Sequence, residues 1–168
     1  RKIKDHCPLE RQSRIFQERF GVPLSASTLG DWMAGAADVL EPIAKRLRER
    51  GLQSPHLSAD DTPIQVLGPA HPKGVKRGHI WSFVSDEPLV FYEYTPNWQG
   101  AAIQELLKDY QGTLQGDGYA GLNTLYEKQS APKRAGCLAH ARRKFVAAYQ
   151  AGDLRVARTL QLIQELYV

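Results

Sequence analysis

His79-Ile80-Trp81-Ser82-Phe83-Val84-Ser85-Asp86-Glu87-Pro88-Leu89-Val90-Phe91-Tyr92-Glu93-Tyr94 is the stretch on which the fold turns. Its two arms, 79–84 and 89–94, are rich in aromatic and β-branched residues, which suit a pleated, half-buried surface. Asp86-Glu87-Pro88 between them has the chemistry of a hairpin turn. Upstream, Leu57 to Leu67 alternates loosely between apolar and polar residues. It predicts a strand that bends or bulges at Pro63, because proline cannot donate to a ladder. A Gly/Pro/Lys loop from Gly68 to Gly78 joins that strand to the hairpin.

Beyond the hairpin the period changes. Ile103, Leu106, Leu107 and Tyr110 share one face of a helix expected over 99–110. Gly112–Asp117 reads as a short strand, 121–128 as a short helix and 133–138 as another strand, with helices over 140–150 and 153–168. Three strands, a helix, a strand, a short helix, a strand and closing helices predict an α/β fold, a mixed sheet flanked by helices. That is the ribonuclease H-like order.

The front of the chain has a different texture. Pro8 opens a helix through Leu9, Ile15 and Phe20 that Gly21-Val22-Pro23 stops. Ser25 or Ser27 can cap a second helix, in which Leu29, Trp32, Met33, Ala36, Ala37 and Leu40 recur three and four apart. Pro42 and the charged run Lys45 to Arg50 lead to Gly51. A helix, a short turn and a capped helix outline a helix-turn-helix, which lays its second helix in the DNA major groove. An ordinary helical hairpin has the same outline. The chain thus divides into a helical, helix-turn-helix-like segment over 1–52 and an α/β domain over 53–168.

Composition sets the bounds. At 42% hydrophobic and 24% charged residues, 168 residues can build a globular core. No apolar run reaches the roughly 18 residues of a membrane span, and no signal-peptide pattern opens the chain. Two cysteines, Cys7 and Cys137, make no disulfide framework, so the cytoplasm is the default location and no membrane is expected. The chain starts Arg1-Lys2-Ile3 and has Met33 as its single methionine, which reads as a piece of a longer protein. The net charge of +4 is unevenly spread, at +3 over residues 1–50, −3 over 51–110 and +4 over 111–168. Basic flanks around an acidic middle suit a metal-dependent enzyme acting on nucleic acid, although scattered surface charge gives the same totals.

Two acidic positions could carry chemistry. Asp60, with Asp61 beside it, lies within the first strand, and Asp117 ends the fourth, before Gly118. If those strands are neighbours the carboxylates converge, and hard oxygen ligands suit Mg²⁺ or Mn²⁺. Two such ions support in-line phosphoryl transfer. By spacing alone, a turn aspartate and a surface acidic pair would look the same. A second cluster, Cys137-Leu138-Ala139-His140-Ala141-Arg142-Arg143-Lys144-Phe145, offers cations at the start of a helix. His140, Arg142, Arg143 and Lys144 could hold a DNA backbone, or could form a solvated helix face. Cys137 and His140 are half of a zinc set with no second pair to complete it, so no zinc is expected.

Four blocks in order then carry a resemblance: Ala59-Asp60-Asp61-Thr62-Pro63; Gly78-His79-Ile80-Trp81; Leu114-Gln115-Gly116-Asp117-Gly118-Tyr119-Ala120-Gly121; and Cys137 to Phe145. Together with the helical segment they resemble transposases of the insertion-sequence-66 family. The resemblance implies a DDE transposase: a ribonuclease H-like fold with a two-metal Mg²⁺ or Mn²⁺ site that cleaves and transfers strands at the ends of a mobile element. Its partners would be double-stranded DNA, as terminal repeats and target, and further copies of itself assembled on that DNA. The family's first catalytic aspartate falls on Asp60, with Asp61 as the alternative because the block departs from the usual Asp-Glu-Thr, and the second falls on Asp117. The third acidic residue is expected just after Leu166-Tyr167, beyond Val168, with Glu165 a poor substitute. A chain lacking it would be deficient in catalysis. The alternatives are a transposase remnant that only binds DNA and a related ribonuclease H-like nuclease.

Overall fold

The computed structural model describes residues 6–68, 72, 74–127 and 132–167. Parts of the loop from Gly68 to Gly78, the end of the short helix expected over 121–128, and Val168 lie outside the described residues. The described residues divide into two compact units, one up to Arg46 and one from Leu47 onward.

In the first unit, α1 (Leu9–Phe20) ends at Gly21, whose φ of 66° gives the left-handed cap that glycine adopts without Cβ strain. Val22 and Gly21 N–H groups close back on the carbonyls of Phe16 and Gln17. Ser25 caps the next helix, its Oγ accepting from the Thr28 N–H at 3.0 Å. That helix, α2 (Ala26–Leu52), runs straight through Pro42, and its last turns from Leu47 belong to the second unit. Of the apolar series on α2, Leu29 is buried, whereas Trp32, Met33 and Leu40 are exposed.

The second unit is built on a five-stranded mixed sheet in the order β3-β2-β1-β4-β5. Its strands are β1 (His56–Leu67), β2 (Val75–Ser85), β3 (Val90–Thr95), β4 (Thr113–Gly116) and β5 (Lys133–Gly136). β1, β2 and β3 form the antiparallel meander, and β4 and β5 add in parallel on the other side of β1. The helices are α3 (Gly100–Leu106), α4 (Asn123–Tyr126), α5 (Leu138–Gln150) and α6 (Ala157–Glu165), with short 3₁₀ turns before α4 and α6. α3 is shorter than the expected 99–110 helix, yet Ile103, Leu107 and Tyr110 still reach the core.

Pro63 makes no bulge in β1, contrary to that part of the sequence expectation. The pairing with β2 is unbroken from Leu57↔Ser85 to Leu67↔Val75. Strand parity explains this. Ser82 Oγ donates to the Asp60 carbonyl, so even-numbered backbone groups of β1 face β2, while the Asp61 N–H turns to the Asp60 carboxylate instead. Pro63 shares the parity of Asp61, and β4 pairs with β1 only at His56–Ser58. The missing N–H therefore lies on an open edge, where no ladder bond is lost.

One face of the sheet carries the core: Leu57, Ala59, Trp81, Phe83, Phe91 and Leu114, closed by Ile103, Leu107, Tyr110, Leu122 and Leu125. Leu47 and Leu52 pack onto it from the end of α2. Gly51 permits that approach, since a Cβ there would stand 2.4 Å from the Phe91 ring. The opposite face of β1 and β4 is polar: His56 and Ser58 meet Gln115 Oε1 at 3.0 and 3.5 Å.

Tyr110 ties the strand ends together, its hydroxyl donating toward the carbonyls of Ser54 and Thr113 at 3.1 Å. Burial, and then the nearby Asp86 carboxylate, raise its pKa from 10 to about 12. The unfolded chain thus loses this proton first. Stability from Tyr110 is complete below pH 10 and is lost as pH rises from 10 through 12. Tyr110→Phe should flatten the alkaline limb of a Tm-against-pH curve in that window. A limb as steep as in the unaltered chain would show that Tyr110 does not set it.

Candidate active site: a carboxylate cleft ringed by cations

β1 and β4 run parallel and pair from His56↔Thr113 to Ser58↔Gln115; Asp60 and Asp117 each lie two residues beyond the last paired position. Both side chains line an open cleft of about 920 Å³ at the carboxyl end of β4. Gly118, with φ 80°, turns the chain immediately after Asp117, a conformation that costs an L-residue about 1–2 kcal/mol. The turn is held by the Tyr119 N–H, which donates to Asp117 Oδ1 at 3.0 Å and leaves Oδ2 free of that bond.

Asp61, the next residue of β1, lines the same cleft with a more buried side chain. Its Oδ2 pairs with His79 Nδ1 at 2.5 Å, and His79 is only 5% exposed. His79 stacks on Trp98 and Trp98 stacks on Tyr119, with centroids 5.9 and 4.5 Å apart. The Tyr119 hydroxyl closes the unit by donating to the Trp98 carbonyl. Burial, and then the Asp61 carboxylate, push the Tyr119 hydroxyl above its ordinary pKa, so it stays a proton donor. The two adjacent aspartates therefore differ: Asp61 is committed to His79, whereas Asp60 is exposed on the polar face.

The Cys137 N–H donates to the Gly116 carbonyl at 2.9 Å, which sets the start of α5 beside the end of β4. Cys137, His140, Arg143 and Lys144 line the same cleft. Burial pushes the Cys137 thiol up. The His140 ring and the N–H groups of His140 and Ala139 outweigh it and leave the thiol below its ordinary pKa. His140 nevertheless falls short of a well-formed bond: its Nδ1 is buried and has no partner among the described residues. Arg142 lies apart from the cleft, lining a separate groove of about 600 Å³ with Val146, Gln164 and Tyr167. Arg143 borders both. Glu165 is exposed at the end of α6 and is not among the residues lining the cleft.

Exposed oxygen donors fit a hard divalent cation, and Asp60 and Asp117 supply them. Among the described residues no three acidic, histidine or cysteine side chains gather as a metal site. Three cleft residues, Trp98, Tyr119 and Arg134, carry no role in the motif reading, nor does His79, which stacks on Trp98. His79 and Tyr119 were legible as parts of quoted blocks, whereas Trp98 and Arg134 fall between blocks and have no sequence signal of their own.

Residues 1–168, the whole chain, match the family described as "Transposase IS66 family". The chain belongs to that family. Among its relatives in Sinorhizobium fredii (strain NBRC 101917 / NGR234), "Uncharacterized protein y4jD" is 32% identical across 99% of this chain and 35% of its own length. "Uncharacterized protein y4qI" is 29% identical, across 93% of this chain and 31% of its own length. This IS66-family chain therefore spans about a third of the length of the relatives it matches. A solved structure of the "Mos1 transposase paired-end complex with left transposon end" is 11% identical, covering 63% of this chain and 42% of that one at a TM-score of 0.33, a likeness too slight to build on. Among the described residues of this IS66-family chain, no helix is long and apolar enough to cross a membrane.

Proposed function

We propose that the second unit is a ribonuclease H-like catalytic domain of DDE type, and that the protein cleaves and transfers DNA strands at the ends of a bacterial insertion sequence. The observation that carries this reading is that Asp60 and Asp117 line one cleft, in a chain of the IS66 family. The sheet order β3-β2-β1-β4-β5, with its parallel β1–β4 pair, supports the fold assignment.

In this reading Asp60 and Asp117 hold Mg²⁺ or Mn²⁺. When bound, a pair of such cations activates the attacking water or 3′-hydroxyl and stabilises the leaving oxygen. The chain's own residues do the rest. Tyr119 fixes one oxygen of Asp117, and His79 engages one oxygen of Asp61. His140, Arg143 and Lys144 line the opposite wall and draw the DNA backbone into the cleft. Arg142 serves the same duplex from the neighbouring groove. The α1–turn–α2 segment is the helix-turn-helix-like reader of the element ends, supported by its Ser25-capped second helix and basic composition. Joining two ends requires copies of the protein to assemble on DNA.

The test is Mn²⁺- or Mg²⁺-dependent cleavage of DNA bearing the element's own terminal repeat by the full-length protein, with Asp60→Asn, Asp61→Asn and Asp117→Asn alongside. Loss in the first and third, with activity kept in the second, is the expected pattern. A specific observation favours one other reading. Arg134, Arg143 and Lys144 line the cleft independently of any metal, which suits a remnant that binds ends without cutting them. DNA binding by a folded full-length protein with no cleavage in either metal would replace the transposase reading with that one.

A further inference from the structure

The cleft holds one cation that stands outside every motif of the chain. Arg134, on β5, is exposed and lines the cleft with Asp117 and Gly118. Its guanidinium carbon lies 5.4 Å from the centroid of the Tyr126 ring. Nη1 donates to Asn123 Oδ1 at 3.4 Å, and Nη2 reaches to 4.0 Å from where a Cβ on Gly118 would stand. The Tyr126 ring and the Asn123 amide orient the guanidinium from α4, and Nη2 lies near the turn after Asp117.

They also leave its charge available. A ring face uses none of the five N–H donors, and a side-chain amide uses one without neutralising the ion. An oriented guanidinium with no carboxylate ion pair among the described residues, at the edge of this cleft, suits bidentate capture of a phosphate.

We infer that Arg134 grips a backbone phosphate of the DNA strand lying in the cleft, one position from the phosphate on which Asp117 acts. The inference rests on the cleft being a DNA site, as proposed above. Tyr126 is a positioning residue: it orients the guanidinium and touches no DNA.

The experiment is fluorescence-anisotropy binding of the 168-residue chain to a labelled short duplex of mixed sequence, repeated across a series of salt concentrations, with thermal melts confirming that each variant folds. Losing one phosphate contact lowers the slope of log affinity against log salt by about 0.9 and weakens binding about fivefold near physiological salt. Arg134→Ala should show both effects. Arg134→Lys keeps the charge but not the planar stack, and Tyr126→Leu removes the stack alone. Both should weaken binding while retaining the slope. Arg134→Ala with the affinity and slope of the unaltered chain overturns the Arg134 assignment and leaves the DNA reading standing. Failure of the unaltered chain to bind DNA at low salt overturns the DNA reading, and the Arg134 assignment with it.

Discussion

Asp60→Asn and Asp117→Asn should each lower metal-dependent DNA cleavage by the full-length protein by at least about a thousandfold, the scale of removing one preorganised electrostatic group from a reaction centre. Asparagine preserves shape and one acceptor oxygen but not the negative charge that holds a divalent cation. Neither carboxylate sits in the core, since Asp60 and Asp117 are both exposed, so folding should be nearly unaffected. Asp61→Asn inverts that pattern. Its carboxylate serves the buried His79 at 2.5 Å, and weakening a charge-assisted bond of this kind costs about 1–2 kcal/mol of stability. Cleavage by Asp61→Asn, measured well below its Tm, should stay within about tenfold of the unaltered protein, a difference of about 1.4 kcal/mol in barrier. Equal losses at Asp60 and Asp61 would contradict the division of labour between the two carboxylates.

Phe83→Ala should have the largest effect on the fold itself. Phe83 is fully buried at the centre of β2, between β1 and β3, and stacks on Phe91 with centroids 4.8 Å apart. Emptying such a site costs about 3–5 kcal/mol through lost transfer energy and the cavity left behind. Domains of this kind hold only about 5–15 kcal/mol in total. Urea denaturation followed by circular dichroism should therefore show a large fall in midpoint at unchanged slope, or a chain already unfolded without denaturant. A loss below about 1 kcal/mol would mean that the cluster under β2 is not the core of this unit.

The hairpin of β2 and β3 was legible because aromatic and β-branched arms flank a turn of fixed chemistry, and that signal is local. The placement of Asp60 in β1 and of Asp117 just after β4 was legible as an order of elements, but the parallel β1–β4 pairing that brings both to one cleft is encoded in no local pattern. Pro63 misled for the same reason. Proline removes a donor, and whether that donor was needed depends on which edge of β1 it faces. The choice between Asp60 and Asp61 stays open in a sequence that puts two acids side by side. Both line the cleft; the His79 pairing of Asp61 is the difference on which the proposed choice of Asp60 rests. Arg134 was invisible, since its setting comes from Tyr126, Asn123 and Gly118, which meet only in the folded chain. The apolar period of α2 was real, but most of that stripe lies exposed.

The most direct test of the central claim, that Asp60 and Asp117 form one divalent-cation site, is paramagnetic broadening of the ¹⁵N-labelled chain by substoichiometric Mn²⁺. The account predicts that the amide signals of Asp60, Gly116 and Asp117 fade first and together, and that Asp60→Asn and Asp117→Asn each abolish the effect while Asp61→Asn does not. Broadening centred elsewhere, or unchanged in both the Asp60→Asn and Asp117→Asn chains, would contradict it.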